Sequence, residues 1–390
     1  MKKTLLIPSM MDDHMPFLRY ALASKDYEPV ILENRVGLMD AALRYSHNDM
    51  CYPFHLALGQ YLTALDSGEY DPHRTALLMF SAGDACRGSN FTWLVRRALE
   101  AAGYGRVEAL TFNVKGVEKE AQLPITLSMA WKALFGLFYG DMLMLLAHQT
   151  RPYEKTPGQT NACREGWTAR LCRDLETGKG LTIRRMKKTL SALAADFAAI
   201  PRSGEKKKQV AVIGELYTKY CALGNWDMVA FLEGEGAEVL VNGFSWYILY
   251  YASSQVARAK GPARWLWQGL SRWVASLQGC MVKTLRAHGF HSLDPFPAFQ
   301  QKAAEQVSPE LRVADGWLMG AELAAWAEFG CRRVLAIQPF GCLPNHICGR
   351  GRYAVLTRQY PGVRTISVDL DSSGTPAQVY NRVKLLLEGD

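Results

Sequence analysis

Short apolar runs alternate with amphipathic stretches along the first part of the chain. The apolar runs have the length of buried strands, and the stretches between them repeat with helical periodicity. This alternation is typical of a parallel sheet with helices on its faces. It predicts an N-terminal α/β unit over residues 1–116, with strands at 4–7, 29–32, 76–80 and 107–112 and helices at 15–23, 54–65 and 91–102.

The same alternation returns in the last part of the chain and predicts a second α/β unit over residues 209–390. Residues 117–208 show mainly helical periodicity and end in a polar linker at 203–208. A Trp-rich helical insertion at about 246–330 separates the second and third strands of the later unit. The strands of that unit are predicted at 209–214, 238–241, 334–337 and 365–368, and its other helices at 225–234 and 376–387.

Two apolar segments have features of a signal peptide or of a membrane-spanning helix. The N-terminal segment begins like a signal peptide, but its apolar core is short and stops at Pro8. The region 127–147 has the length of a membrane span, yet Lys132 and Asp141 interrupt it. We therefore predict a buried helix there, and we expect no membrane partner.

Charge and cysteine content narrow the class of protein. The formal net charge of +8 comes from scattered basic residues, without the stripe or module of a nucleic-acid-binding protein. We therefore expect no nucleic-acid partner. Nine cysteines in a chain without a secretion signal indicate a reducing compartment, so we predict a cytoplasmic protein whose cysteines are thiols.

The segment around Cys342 carries the clearest chemical signal. It follows the apolar run 334–337, and Pro344 has the fixed φ that suits the first turn of a helix. Cys342 is therefore predicted to lie between a strand and a helix, beside helix amides that are not yet hydrogen bonded. Such amides are expected to lower the pKa of a thiol and to favour the thiolate, which is the form that binds metals.

Two other cysteines have the same placement. Cys51 precedes Tyr52, Pro53 and an apolar helical run, and Cys86 lies between the predicted strand 76–80 and the predicted helix 91–102. Corners of this kind meet at the carboxyl edge of parallel sheets. Cys51, Cys86 and Cys342 are thus predicted to form one site.

The sequence lacks the common nucleotide-binding and hydrolase motifs. Residues 178–180 read Gly-Lys-Gly but lack the upstream glycine and the Ser or Thr of a phosphate-binding loop. No dinucleotide-binding glycine fingerprint, zinc-protease helix motif or serine-hydrolase elbow occurs in the sequence. We therefore expect the chain not to hydrolyse ATP.

With these residues described, the chain resembles the 2-hydroxyacyl-CoA dehydratase superfamily. The nearest likeness is to its activase-related branch, which often forms the C-terminal half of large activase-type proteins. The matching stretches run nearly from end to end. They include NDMCYP at 48–53, LDSGEYD at 65–71, CRGSN at 86–90, RPYE at 151–154, GELY at 214–217, GEGAEV at 234–239, QPFGCLPNH at 338–346 and YNRVKL at 380–385.

The resemblance implies an iron–sulfur protein. In that superfamily three cysteines hold a [4Fe–4S] cluster with one iron open to substrate, and the matching positions here are Cys51, Cys86 and Cys342. It also implies an ATP-dependent iron–sulfur activator as electron donor, an acyl-CoA as a candidate substrate, and a homodimer or a heterodimer with a related subunit. The implied fold is two Rossmann-like (flavodoxin-like) units with helical insertions and the cluster in the cleft between them.

Some cysteines depart from the pattern of this branch. Cys221 and Cys348 stand where other residues are expected, and more distant relatives use additional cysteines to hold a double-cubane [8Fe–9S] cluster. Cys221, Cys348 and also Cys163 are therefore candidates for further ligands, against the alternative that they are ordinary buried thiols. Cys172, Cys280 and Cys331 are expected to be structural.

The favoured function is reduction or dehydration of a small substrate at an open cluster iron, driven by electrons from the activator. Three alternatives remain open at this point. The chain could be a non-catalytic electron-transfer or activase-associated subunit, a double-cubane-type reductase, or a structural relic without a cluster.

Overall fold

The first α/β unit contains a four-stranded parallel sheet. The computed structural model describes residues 2–81, 86–112 and 121–388. The sheet order is β2-β1-β3-β4, and every neighbouring pair is parallel. The elements are β1 (Lys3–Ile7), α1 (Met15–Leu22), β2 (Tyr27–Ile31), α2 (Leu38–Leu43), α3 (Tyr52–Asp66), β3 (Thr75–Phe80), α4 (Phe91–Ala101) and β4 (Glu108–Phe112).

Alternate residues of β1 enter cores on opposite faces of this sheet, because successive side chains of a strand point in opposite directions. Leu5 and Ile7 pack in the core that contains Phe17 of α1. Leu6 packs on the other face with Leu58 of α3. Both faces are covered, as expected for an all-parallel sheet, and this explains the continuous apolar runs in its strands.

A helical segment follows the first unit, formed by α5 (Leu127–Thr150), α6 (Gln159–Thr177) and α7 (Ile183–Ala198). Helix α5 is long and apolar enough to cross a membrane, but most of its apolar window is buried inside the protein. Asp141, which interrupts that window, is fully buried and accepts hydrogen bonds from His14 and from the backbone N–H of Ser245. The predicted buried helix is thus present, and it packs as a core helix of this protein.

The second α/β unit also contains a four-stranded parallel sheet, in the order β6-β5-β7-β8. The helical insertion between β6 and β7 consists of four helices. The elements are β5 (Lys208–Gly214), α8 (Leu216–Tyr220), α9 (Met228–Gly234), β6 (Ala237–Leu240), α10 (Phe244–Arg258), α11 (Pro262–Ala287), α12 (Phe296–Gln306), α13 (Gly316–Phe329), β7 (Arg333–Pro339), α14 (Gly351–Gln359), β8 (Arg364–Leu370) and α15 (Pro376–Leu387).

The predicted fold class is confirmed, since two all-parallel four-stranded sheets flanked by helices form the two units. One helix start was predicted wrongly. The helix expected to begin at Asn225 begins at Met228, because the Asn225 Oδ1 atom accepts from the Met228 N–H while Trp226 and Asp227 take positive φ values. The predicted boundary between residues 116 and 117 lies outside the described residues.

Candidate functional site

The carboxyl ends of both sheets face a single cavity of about 270 Å³. Its walls include residues that end or directly follow strands of the first unit, such as Pro8 and Ser81. Glu215 and Pro339 contribute from the corresponding edge of the second unit. Ligands of parallel sheets bind outside the carboxyl ends of the strands, so this cavity is the expected position for a functional site.

Cys51 lies at the position directly before α3, with extended backbone dihedrals. Pro53 occupies the first turn of that helix, where a backbone N–H would have no hydrogen-bond partner within the helix, so the lack of an N–H in proline removes no hydrogen bond. The Cys51 thiol makes no capping hydrogen bond to the helix. It lines the cavity instead.

Cys86 begins a short 3-10 helix, Arg87–Asn90, which leads into α4. Its sulfur accepts a hydrogen bond from the Gly88 N–H at 3.3 Å. The thiol thus lies at a helix start and lines the same cavity as Cys51. The residues of this loop at 82–85 lie outside the described part of the chain.

Cys342 lies in the tight connection between β7 and the following helix. Gly341 has a φ of +68°, which favours glycine, and the Cys342 N–H bonds to the Pro339 carbonyl at 3.1 Å. The helix after Pro344 contains a π-helical segment, Asn345–Arg350, before it continues as α14. Segments of this kind occur frequently at functional sites.

Asn345, the first residue of the π-helical segment, connects Cys342 to a buried carboxyl group. Its Nδ2 atom lies 3.2 Å from the Cys342 Sγ and 3.3 Å from the Asp315 Oδ2. Asn345 is fully buried, so this amide is held in one orientation behind the sulfur.

The structure therefore brings Cys51, Cys86 and Cys342 together in one cavity, although they are far apart in the sequence. The expectation that helix amides lower the thiol pKa is wrong for Cys51 and Cys342 in the protein by itself. Burial, reinforced by the nearby Glu215 carboxyl group, raises the pKa values of Cys51 and Cys342. Desolvation outweighs the few N–H donors, so a bound cation would be needed to hold these cysteines as thiolates.

The additional candidate cysteines are not among the residues that line this cavity. Cys221 ends α8 and is fully buried in the main core, and burial raises its pKa to about 12. Cys348 is buried in the π-helical segment. Cys163 lies on α6 and packs against the main core.

Two carboxylic acids in the cavity were not singled out from the sequence. Glu215 follows Gly214, and the Glu215 side chain accepts from the Thr218 N–H at 3.0 Å at the start of α8. Gly214 has a φ of +127° and no room for a Cβ atom, which would come within 1.9 Å of the Ile337 carbonyl oxygen. The backbone can therefore turn Glu215 into the cavity only with glycine at position 214.

Asp315 lies directly before α13 and lines the same cavity as Glu215. Burial raises the pKa of Asp315 to about 7, and the negative charge of Glu215 adds to this effect. Burial also raises the pKa of Glu215. The only sequence signal for these two acids is their position beside a predicted strand or within the insertion, which many surface acids share.

Aromatic side chains form much of the remaining wall. Phe244 and Tyr247 of α10 stack with ring centroids 5.6 Å apart, and Phe80 and Phe112 approach each other at 5.8 Å at the ends of β3 and β4. All four line the cavity. The site thus combines sulfur and carboxyl groups with a largely apolar, aromatic wall.

Among the described residues, no three His, Cys, Asp or Glu side chains are close enough to hold a single metal ion. A cubane cluster makes a different demand, because each cysteine binds a different iron and the sulfurs stand farther apart. The three thiols line one cavity and two of them accept N–H hydrogen bonds, and thiolates are the kind of ligand that such a cluster uses.

No protein-family model matches this chain, and no curated protein matches its sequence. The superfamily resemblance therefore rests on the motif residues alone.

Proposed function

We propose that this chain is an iron–sulfur protein that holds a [4Fe–4S] cluster through Cys51, Cys86 and Cys342. The proposed cluster receives low-potential electrons from a separate ATP-dependent activator. The proposed reaction is reduction or dehydration of a small substrate, with an acyl-CoA thioester as the first class to test. The proposed location is the cytoplasm.

One observation carries this proposal, namely that three cysteines from distant parts of the sequence line the same cavity. Each stands at the start of a helical segment, and they come from both α/β units. Structural cysteines pack as small apolar side chains and have no reason to converge in this way. Cys331 illustrates the contrast, since it is buried at the start of β7 and lies outside the cavity.

The surroundings of the sulfurs suit a negatively charged cluster. The Gly88 N–H and the Asn345 amide would continue to donate to the sulfurs of Cys86 and Cys342 once these bind iron. Such hydrogen bonds stabilise negative charge on the sulfur atoms and raise the reduction potential. The aromatic wall would limit the access of water to the same site.

When bound, the cluster would supply a single electron and an iron that acts as a Lewis acid. The chain itself contributes the groups that move protons. Burial raises the pKa of Asp315 to about 7, so its carboxyl group carries a proton for part of the time near neutral pH. Asp315 lines the cavity, and its proposed role is to donate that proton to a leaving hydroxyl group. Glu215 lies on the same cavity and favours the protonated form of Asp315.

Anaerobic reconstitution with iron and sulfide tests the cluster. We expect a brown protein with about four irons per chain and an electron paramagnetic resonance signal after reduction. A colourless protein with no bound iron after reconstitution would support the alternative of a fold without a cluster.

A turnover assay then separates catalysis from electron transfer alone. The reconstituted protein is supplied with a strong artificial reductant and a panel of 2-hydroxyacyl-CoA thioesters. Formation of an enoyl-CoA product that requires Asp315 supports the catalytic function. Rapid cluster reduction without turnover on any member of the panel favours the electron-transfer subunit.

A further inference from the structure

The first turns of α11 extend away from the body of the protein. Residues 261–266 are all exposed, whereas a helix lying along the surface would bury one of its sides. Trp265 and Leu266 expose 76% and 73% of their surface, and Leu270 and Trp273 are exposed in the following turns. We call these four residues the α11 tip.

The start of α5 enlarges this apolar surface. The Trp131 ring stacks on Trp273 with ring centroids 6.1 Å apart, and its indole nitrogen donates to the Leu181 carbonyl at 3.0 Å. Leu127, at the first position of α5, is 91% exposed. Single exposed apolar residues are ordinary, but a contiguous group of this size marks a binding surface.

All the charged residues in the chain segment that contains the α11 tip are basic. Residues 239–293 contain no Asp or Glu. Arg264 and Arg272 are exposed on the same turns as the α11 tip, and Arg258 and Lys260 lie just before them. Two copies of this surface would repel each other, so the charge favours an anionic occupant over a second copy of the chain.

We propose that the α11 tip binds peripherally to an anionic phospholipid surface. Trp265 and Leu266 would enter the headgroup region, where indole rings are favoured, while Arg264 and Arg272 bind lipid phosphates. A helix end that is exposed on all its sides can enter a fluid lipid surface, whereas a folded protein partner would need a deep groove to enclose it. This proposal departs from the expectation, drawn from the sequence, that the chain has no membrane partner. The association is peripheral, does not require a membrane-spanning helix, and is independent of the proposed cluster.

Co-sedimentation with vesicles tests this proposal. The full chain is mixed with vesicles of phosphatidylcholine alone and with vesicles that also contain phosphatidylglycerol. We expect binding only to the vesicles with phosphatidylglycerol, and we expect high salt to weaken it because exposed charges are screened. The Trp265→Ser/Leu266→Ser variant should bind these vesicles at least about tenfold more weakly than the parent chain, because two large apolar side chains no longer insert.

A matched control is Leu385→Ser on α15, which removes an exposed leucine from a different surface and should leave binding unchanged. Arg264→Gln/Arg272→Gln should weaken binding and reduce its dependence on salt. The proposal is overturned if the parent chain does not bind anionic vesicles, or if the Trp265→Ser/Leu266→Ser variant binds as tightly as the parent. It is also overturned if sedimentation velocity shows that the α11 tip joins two copies of the chain.

Discussion

The amide of Asn345 donates to the sulfur of Cys342 at 3.2 Å from a position that solvent does not reach. This pairing places a fixed hydrogen-bond donor beside a proposed cluster ligand. It also explains why a polar residue is buried at the start of the π-helical segment, where Asp315 takes part in the same network.

Replacing Asn345 with Leu should make the reduction potential of the reconstituted cluster more negative. The reduced cluster carries more negative charge, and the lost N–H donor stabilised that charge. Spectroelectrochemical titration of both proteins measures the shift, with Asn34→Leu in the first unit as a variant that should not move it. An unchanged or more positive potential in Asn345→Leu would show that this hydrogen bond does not act on the cluster.

Much of the fold could be predicted because the patterns that indicate its strands and helices lie within short stretches of the sequence. The inner strands of both sheets are largely buried on both faces, so each contains a short apolar run, and the helices between the strands show their own periodicity in the sequence. The position of Cys51, Cys86 and Cys342 just before helical segments could also be predicted, because it depends only on the patterns of the neighbouring strands and helices.

Features of the site that depend on packing could not be predicted in the same way. The direction of the thiol pKa shifts follows from burial between two units, and the sequence does not show that burial. The same is true of Asp315, whose pKa is raised by burial and further by the negative charge of Glu215. The exposure of the α11 tip could not be predicted either, because the apolar pattern of the sequence does not distinguish an exposed Trp from a buried one.

His148 should make the folded protein sensitive to mild acid. Burial lowers the pKa of His148 to about 4, whereas an unfolded histidine titrates near pH 6.5. The unfolded chain therefore takes up a proton that the folded chain resists, and up to about 3 kcal/mol of stability is lost as the pH falls from about 6.5 to about 4. Urea denaturation at pH 7.5 and pH 5 should show a smaller loss for His148→Gln than for the parent chain.

The exposed His73 provides the control for this measurement. His73→Gln should lose as much stability as the parent between the two pH values. Equal losses in His148→Gln, His73→Gln and the parent would mean that His148 does not titrate differently in the folded state.

Lys219 should be essential to stability because it forms a buried ion pair that joins α8 to α13. Its Nζ lies 2.8 Å from the Glu322 Oε1, and the two side chains are 2% and 1% exposed. Lys219→Met leaves the Glu322 carboxyl group buried without its positively charged partner, which should lower the free energy of unfolding by about 3–5 kcal/mol. Urea denaturation measures this change.

Lys219→Met/Glu322→Leu should recover much of that loss, since neither charge then remains buried alone. The half-exposed pair of Arg35 and Asp227 serves as the comparison, and Arg35→Met should cost about 1 kcal/mol or less. A cost of similar size for Lys219→Met and Arg35→Met would contradict the structural role of the buried pair.

Cys221→Ser and Cys348→Ser should retain the iron of the parent chain. Neither thiol is among the residues that line the cavity with Cys51, Cys86 and Cys342, so neither is placed to bind the same cluster. Iron and sulfide analysis after anaerobic reconstitution provides the measurement. If the parent holds about eight irons and both variants lose about half of them, the double-cubane cluster replaces the single cubane in this account.

The most direct test of the central claim is the iron content of Cys51→Ser, Cys86→Ser and Cys342→Ser after identical anaerobic reconstitution. The matched control is Cys280→Ser on α11, a half-buried cysteine outside the cavity. The account predicts about four irons per chain in the parent and the control, and loss of the cluster in each of the three variants. Full iron retention in any of the three, or an equal loss in the control, would contradict the proposed ligand set.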